Sequence, residues 1–473
     1  MRGLSEATGL KCDVAVIGAG TAGLAAARRA VREGAKVYLI DERFDGTMCA
    51  NVGCMPSKLL IAAASAAEDV HRAGTFGLET GPLRIDGPAV MQRLRAERDR
   101  FARLTREGFD DFPPYTMIRA RATFTSETTL TLDNGRTIEA RAIVIATGGR
   151  PIIPDDFKSV SDLCLTHETV FELTDLPASL AVIGAGPIGL ELAQAFARLG
   201  VRTALFDESD ALGGVKDSDL QRQILTAIGK DVSLHLGVKT QAERDGRQAK
   251  VNWSGNNQGS EAFERILIAT GRPPQLDGLG LDKTGIALDK HGVPLFDRES
   301  MQCGTSSIFI AGDADRDVPV LHEASAEGGI AGLNAARYPD VTRTPRMTPF
   351  SMIFCQPVLA KVGQEPDEAS ITGSSDYSDQ GRARVEGKGV GSVIIHAEPT
   401  RGRLTGAVLF CPGAEHLAHL LVQAISHGIT ASEMLAQPVY HPTLEEGLRT
   451  ALRAICSKIP ASGDYDRSVA PGG

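Results

Sequence analysis

Two stretches of this chain carry the same pattern. Cys12–Asp41 reads CDVAVIGAGTAGLAAARRAVREGAKVYLID, and Leu180–Asp207 reads LAVIGAGPIGLELAQAFARLGVRTALFD. Each is an apolar β-branched run, a glycine turn, a small-residue helical stretch, a glycine break and a second apolar run ending in Asp. Gly18 to Asp41 and Gly184 to Asp207 both span 23 positions. Each copy also has a later apolar strand running into Ala-Thr-Gly, at Ile143–Gly148 and Ile266–Gly271. Two copies so far apart do not make a solenoid. They predict a duplicated βαβ unit of the dinucleotide-binding kind.

Gly18, Gly20 and Gly23 fit G-x-G-x-x-G, as do Gly184, Gly186 and Gly189. The first glycine permits the tight turn, the second lets a pyrophosphate approach the backbone, and the third lets helix and strand pack closely. The helix N-terminus then offers N–H groups and a positive dipole end to the phosphates. Asp41 and Asp207 stand where an acid accepts hydrogen bonds from a ribose diol. A glycine-rich turn alone can be purely steric, but here each follows a strand, opens a helix and has its acid. Two sites in one chain point to a flavin and a nicotinamide coenzyme, an electron-transfer arrangement. Asp207-Glu208-Ser209 has no Arg for a 2′-phosphate and the next basic residue is Lys216, which favours NAD over NADP.

The chain has 473 residues, room for about three domains. Its net charge of −9 argues against a basic nucleic-acid-binding surface. The longest apolar stretches are glycine-punctuated and fall short of the ~18–20 residues of a membrane helix. The N-terminus is too polar for a signal peptide, so a soluble, cytoplasmic protein is expected. Helices are expected at Leu59–Ala73 and Pro88–Glu107, and strands at Thr116–Arg121 and Thr129–Leu132. From about Phe350 the pattern changes to strands (Val358–Val362, Gly391–His396, Leu404–Phe410) and then helices (Glu415–Ile429, Leu444–Arg453), suggesting a separate α+β domain. Residues after Pro460 read as a loose tail.

Of eight scattered cysteines only Cys49 and Cys54 lie close together, which suits a reducing compartment with one special site. Incidental thiols are one reading of C-x4-C. Zinc is another, though the usual partner pair is missing. On a straight α-helix residues five apart have Cα atoms ~8.6 Å apart, beyond the roughly 4.4–6.8 Å of a disulfide. If the two bond, the local helix is distorted, and a distorted or exposed bridge is the labile kind. Pro56 suits the first turn of a following helix. That helix N-terminus and Lys58 both favour a thiolate at Cys54.

Together these residues resemble the flavoprotein pyridine nucleotide–disulfide oxidoreductases, and among their branches the dihydrolipoamide dehydrogenases best. The resemblance runs from about Asp13 to Arg453. It is carried by the first glycine motif with Asp41, by CANVGCMPSK at 49–58, the two Ala-Thr-Gly strands, Ile310-Ala311-Gly312-Asp313, and His441-Pro-Thr-Leu-Glu-Glu446. It implies two Rossmann-like domains plus a C-terminal α+β dimerisation domain. The flavin domain would take 1–150 and 272–347, the NAD domain 151–271, the interface domain 348–460 and the tail 461–473.

The resemblance also implies roles. Cys49 and Cys54 form a redox-active disulfide. FAD is held by Gly18, Gly20, Gly23, Asp41, Lys58, Ala122, Thr147, Gly148 and Asp313, with His322 in the following flavin-side segment. NAD is held by Gly184, Gly186, Gly189, Asp207 and Gly271. Lys58 pairs with Glu191 beside the flavin. His441 is the catalytic base, oriented by Glu446 and contributed by the partner subunit, so a homodimer is implied. The reaction is oxidation of dihydrolipoamide, free or on a lipoyl carrier domain, with NAD as acceptor; no metal is expected. The alternatives are an NAD(P)H-dependent reductase of another small disulfide, a diaphorase, and a non-catalytic flavin redox sensor. Departures from the family pattern are Gly46-Thr47-Met48-Cys49 for Gly-Gly-Thr-Cys, Cys355 for Thr, and Cys411 for a small residue. Cys355, Cys411 and the histidines His416, His419 and His427 are read as structural. The tail has no cysteine pair, which disfavours mercuric reductase.

Overall fold

The structure, a computed structural model, describes residues 9–459. The expected loose tail at 461–473 lies outside the described residues. The chain clusters into two compact units. Among the described residues one comprises 9–56, 93–152 and 271–346, the other 57–92, 153–270 and 347–459.

In the first unit the strand Gly9–Ile17 lies between Val37–Asp41 and Thr137–Ile145, parallel to both. Met117–Arg119 and Ile308–Ile310 extend the parallel set, and Thr129–Leu132 and Ala122–Ser126 continue it antiparallel. Successive side chains of a strand point to opposite faces, and both faces here are covered. Val14, Val16, Leu39, Val144 and Phe309 pack with the helical Ala26, Ala27 and Ala331. Ala15, Ile17, Ile40, Ile143 and Ile145 pack on the other side with Phe124 and Leu130. Double burial explains why these strands read as unbroken apolar runs.

In the second unit a parallel sheet runs Ser233–Leu236, Arg202–Asp207, Ser179–Ile183, Arg265–Ile268, Cys164–Leu165. Its glycine turn leads into the helix Pro187–Arg198. A three-stranded antiparallel sheet follows at Val238–Asp245, Gln248–Gly255 and Gly259–Phe263. The C-terminal sheet is antiparallel, in the order Phe350–Ile353, Val358–Gly363, Leu404–Cys411, Ser392–Ala397, Ile371–Asp376. The helices Ala414–Ser426 and Glu446–Cys456 share one apolar cluster with it.

Several elements differ from expectation. The three-stranded sheet, Ala122–Ser126 and the edge strands Phe350–Ile353 and Ile371–Asp376 were not foreseen, because they are mixed in polarity and bury few residues. Val238–Asp245, VKTQAERD, buries only Val238 and Ala242. The last helix begins two residues later than expected, at Glu446. The helix expected at Glu415–Ile429 ends three residues earlier, at Ser426, with His427 as its C-cap.

The doubly covered sheet predicts a large cost for a hole at its centre. Leu39 is fully buried, so Leu39→Ala should lower stability by about 2–5 kcal/mol, measured by denaturant unfolding.

Candidate active site

Both glycine turns have one design. Gly18 has φ 103° and Gly184 φ 104°, a region open to glycine and strained for other residues. A Cβ on Gly18 would strike the Ala146 carbonyl, and one on Gly23 the Gly18 carbonyl; Gly184 and Gly189 repeat this against Ala269 and Gly184. Gly20 and Gly186 are the N-caps of Thr21–Arg32 and Pro187–Arg198, and no side chain caps either helix. The first-turn N–H groups are thus left for an anion, and a Cβ at Gly20 or Gly186 would meet only open space.

The acids close the turns. Asp41 Oδ2 accepts from the Ala19 amide at 2.9 Å, and Oδ1 from Arg43 and Phe44 at 2.8 Å. Asp207 Oδ2 accepts from the Ala185 amide, and Oδ1 from Ser209 at 2.7 Å. A carboxylate has about four acceptor positions, so each retains capacity for a ribose diol.

A cleft of about 440 Å³ opens beside the first turn, lined by Gly18, Asp41, Glu42, Ala120, Ala122 and Thr147 among others. It lies outside the carboxyl ends of the parallel strands, where doubly wound sheets bind ligands. Thr147 Oγ1 is buried there without a protein hydrogen-bond partner. These features fit the adenosine and pyrophosphate of FAD. Gly148 and Gly271 end their Ala-Thr-Gly segments at φ 71° and 135°. Asp313, in the turn Gly312–Ala314, lies 3.0 Å from Arg272 Nη2, and both side chains are largely buried. Arg272 is a partner sequence reasoning did not single out. His322 is the half-buried second residue of the helix Leu321–Arg337.

The cysteine segment is not one helix. Cys49 lies in the four-residue helix Met48–Asn51, capped by Thr47 Oγ1, which accepts from the Ala50 amide at 3.4 Å. The helix stops at Val52, φ −138° and ψ 12°, and Cys54 starts a new one, Cys54–Arg72, with Pro56 in its first turn. The straight-helix geometry that would hold the two cysteines apart is therefore absent. Cys49 is half-buried and Cys54 exposed. Met48, one of the departures, places Sδ 3.1 Å from Arg272 Nη1.

Lys58 Nζ donates to Glu191 Oε2 at 2.7 Å, and Glu191, buried on the second glycine helix, also accepts from the Phe354 amide at 2.8 Å. The ammonium lies 4.3 Å from the Phe354 ring centroid, within cation–π range. Phe354 was missed by sequence reading because a backbone donor leaves no residue-type signal.

His441 Nδ1 lies 3.0 and 3.1 Å from the two Glu446 oxygens, and Glu446 also accepts from the Thr443 amide. The imidazole and this amide hold the Glu446 carboxyl below its ordinary range. The histidine side chain is 82% exposed, so its other nitrogen is accessible. The loop is braced by Tyr377, fully buried, whose hydroxyl donates to the Leu444 carbonyl at 2.9 Å.

Burial pushes the thiols of Cys12, Cys303 and Cys355 up to about 12 and that of Cys164 to about 11, and raises Cys411 as well. Such thiols are poor nucleophiles. His419 and His427 are exposed, each with Nδ1 against a backbone carbonyl of its own helix, and the His419 ring packs edge-on against Phe350 at 5.1 Å between centroids.

Two outcomes follow. Gly18→Ala should purify without the 450 nm absorbance of bound flavin, because its Cβ closes the turn. Glu446 has a native value below its unfolded one, so the stability it adds is whole above about pH 4.3 and lost as pH falls through the native value. Below about pH 4.3, the melting temperature should therefore fall more in the wild type than in Glu446→Gln.

The profile of the pyridine nucleotide-disulphide oxidoreductases matches residues 12–328, and that of their dimerisation domain matches 349–452. The chain is 29% identical over 454 residues to dihydrolipoyl dehydrogenase of Bacillus subtilis, covering 93% of this chain and 97% of that one. It is 30% identical over 472 residues to mercuric reductase of Streptomyces lividans, covering 94% and 97%. The HOCl-induced flavoprotein disulfide reductase RclA of Escherichia coli, at 22% identity, shares the fold with a TM-score of 0.80 over 93% of this chain and 99% of that one. Among the described residues no helix is long and apolar enough to cross a membrane. With a cofactor-binding profile that pairs FAD with NAD(P) and a dimerisation domain behind it, the chain belongs to the pyridine nucleotide-disulphide oxidoreductase family.

Proposed function

We propose that this chain oxidises dihydrolipoamide to lipoamide, with NAD as the acceptor and Cys49–Cys54 as the redox-active disulfide. The observation that carries the reading is the His441–Glu446 pair: an exposed imidazole held through Nδ1 by a carboxylate that stays ionised. With Nδ1 engaged, Nε2 is the nitrogen left to take a proton. In the active homodimer this pair serves the cysteines of the partner subunit.

His441 removes a proton from the dithiol, and the thiolate attacks Cys49 Sγ, breaking the disulfide so that Cys54 departs as thiolate. The second substrate thiol displaces Cys49, which leaves as a thiol, and lipoamide is released. Cys54, first in its helix, has its thiolate favoured by the helix dipole. FAD, when bound, supplies the two-electron exchange that links a cysteine pair to a nicotinamide. Gly18, Gly20, Gly23 and Asp41 hold its dinucleotide part, with Ala122, Thr147, Gly148 and Asp313 along its length and Lys58 and Glu191 at the ring. His322 belongs to the flavin-side segment. Gly184, Gly186, Gly189, Asp207 and Gly271 serve NAD, and Lys216, the first basic residue after Asp207, pairs with Glu365 at 3.5 Å. Residues 1–150 with 272–347, 151–271 and 348–460 form the flavin, NAD and interface domains.

The similarity to mercuric reductase favours a second reading, NAD(P)H-dependent reduction of a different substrate at the same cysteines. NADH-dependent turnover of lipoamide, glutathione disulfide, a CoA disulfide and Hg(II) separates the two. Lipoamide should be reduced fastest, and His441→Gln should lower its kcat about 10²–10⁴-fold. No lipoamide turnover would sink the first reading.

A further inference from the structure

The helix Gly87–Glu107 carries six arginines, at 93, 95, 98, 100, 103 and 106. Arg98 alone among them is buried, at 8% exposure. A guanidinium leaves water only where groups of the fold hold it. Arg98 Nη1 donates to the Asn51 carbonyl at 3.3 Å, and Nε lies 2.6 Å from Asp99 Oδ1. Asn51 is the last residue of the short helix that carries Cys49. Its carbonyl is one of those a helix end leaves without an internal donor, and a cation there is favourable. The Asn51 side chain is itself folded back, Nδ2 donating to the Asp45 and Thr47 carbonyls at 2.9 and 3.0 Å. Two residues beyond Asn51 the chain is at Gly53, where a Cβ would come within 3.2 Å of Cys49 Cα. The break between the helices that carry the two cysteines thus begins next to the carbonyl that Arg98 holds.

We propose that Arg98 is a positioning residue of the cysteine pair: it fixes the helix break between Cys49 and Cys54, and its charge favours the thiolate that reduction produces. This rests on the reading of Cys49 and Cys54 as the redox-active pair. Two electrons and one proton convert the disulfide to one thiol and one thiolate, the reductant being a dithiol. A fixed cation beside the turn stabilises the thiolate product. Asp99 Oδ1, 2.6 Å from Nε, offsets part of that charge, and solvent around its 66% exposed side chain weakens the offset.

The test uses the holoprotein reduced with dithiothreitol and freed of it anaerobically. Iodoacetamide alkylation of Cys49 and Cys54 is followed across pH by peptide mass spectrometry. Arg98→Gln should raise the midpoint of the pH–rate curve by about one unit, slowing alkylation about tenfold on its acid side. Arg98→Lys should keep the midpoint near the wild-type value. Should the glutamine variant not fold, Arg98→Met takes its place in the same comparison. An unmoved midpoint without the charge, or a lysine variant displaced as far as the neutral one, overturns the role of Arg98 and leaves the redox pair standing. Wild-type cysteines that react alike before and after reduction overturn the redox pair and this proposal with it.

Discussion

The hydrogen bond from the Ala19 amide to Asp41, and its twin from Ala185 to Asp207, organise the binding end of each sheet. Each joins the middle of a glycine turn to the end of the neighbouring parallel strand, so the turn, the following helix and the acid form one rigid corner. The turn exists only because Gly18 and Gly184 occupy a backbone region other residues avoid. Once the corner is set, the helix N-terminus faces the carboxyl ends of the strands without a side-chain cap. Backbone geometry, more than any charged side chain, builds the place for a dinucleotide.

The cysteine chemistry depends on a contrast in burial. Desolvation raises the thiols of Cys12, Cys164, Cys303, Cys355 and Cys411 and disfavours their thiolates. Cys54 instead sits exposed at the start of a helix, and Cys49 sits in a single helical turn just before it. A continuous helix through both would separate them; the break at Val52 removes that obstacle. The Lys58–Glu191–Phe354 contacts fix an ammonium by a carboxylate, and the carboxylate by a backbone amide.

Much of this was legible in the residues. The two glycine turns, their acids and the buried parallel strands follow from local sequence, because double burial writes itself as an apolar run. The Lys58–Glu191 and His441–Glu446 pairs were legible through the family resemblance, and both side-chain contacts are present. Polar strands such as Val238–Asp245 were not legible, because half-exposed antiparallel pairing leaves a weak alternation. Phe354 and Arg98 were missed for a related reason. Their contacts run through backbone groups distant in sequence, and no pattern of residue types announces them.

On the proposed function, a dithiol enters through His441 and the Cys49–Cys54 pair. Anaerobic titration of the yellow holoprotein with dihydrolipoamide reads this entry step by its spectrum. One equivalent should produce a long-wavelength thiolate–flavin band that NAD then discharges, with NADH formed in proportion. A flavin spectrum that dihydrolipoamide leaves unchanged, while NADH still bleaches it, would rule out entry of a dithiol at these cysteines.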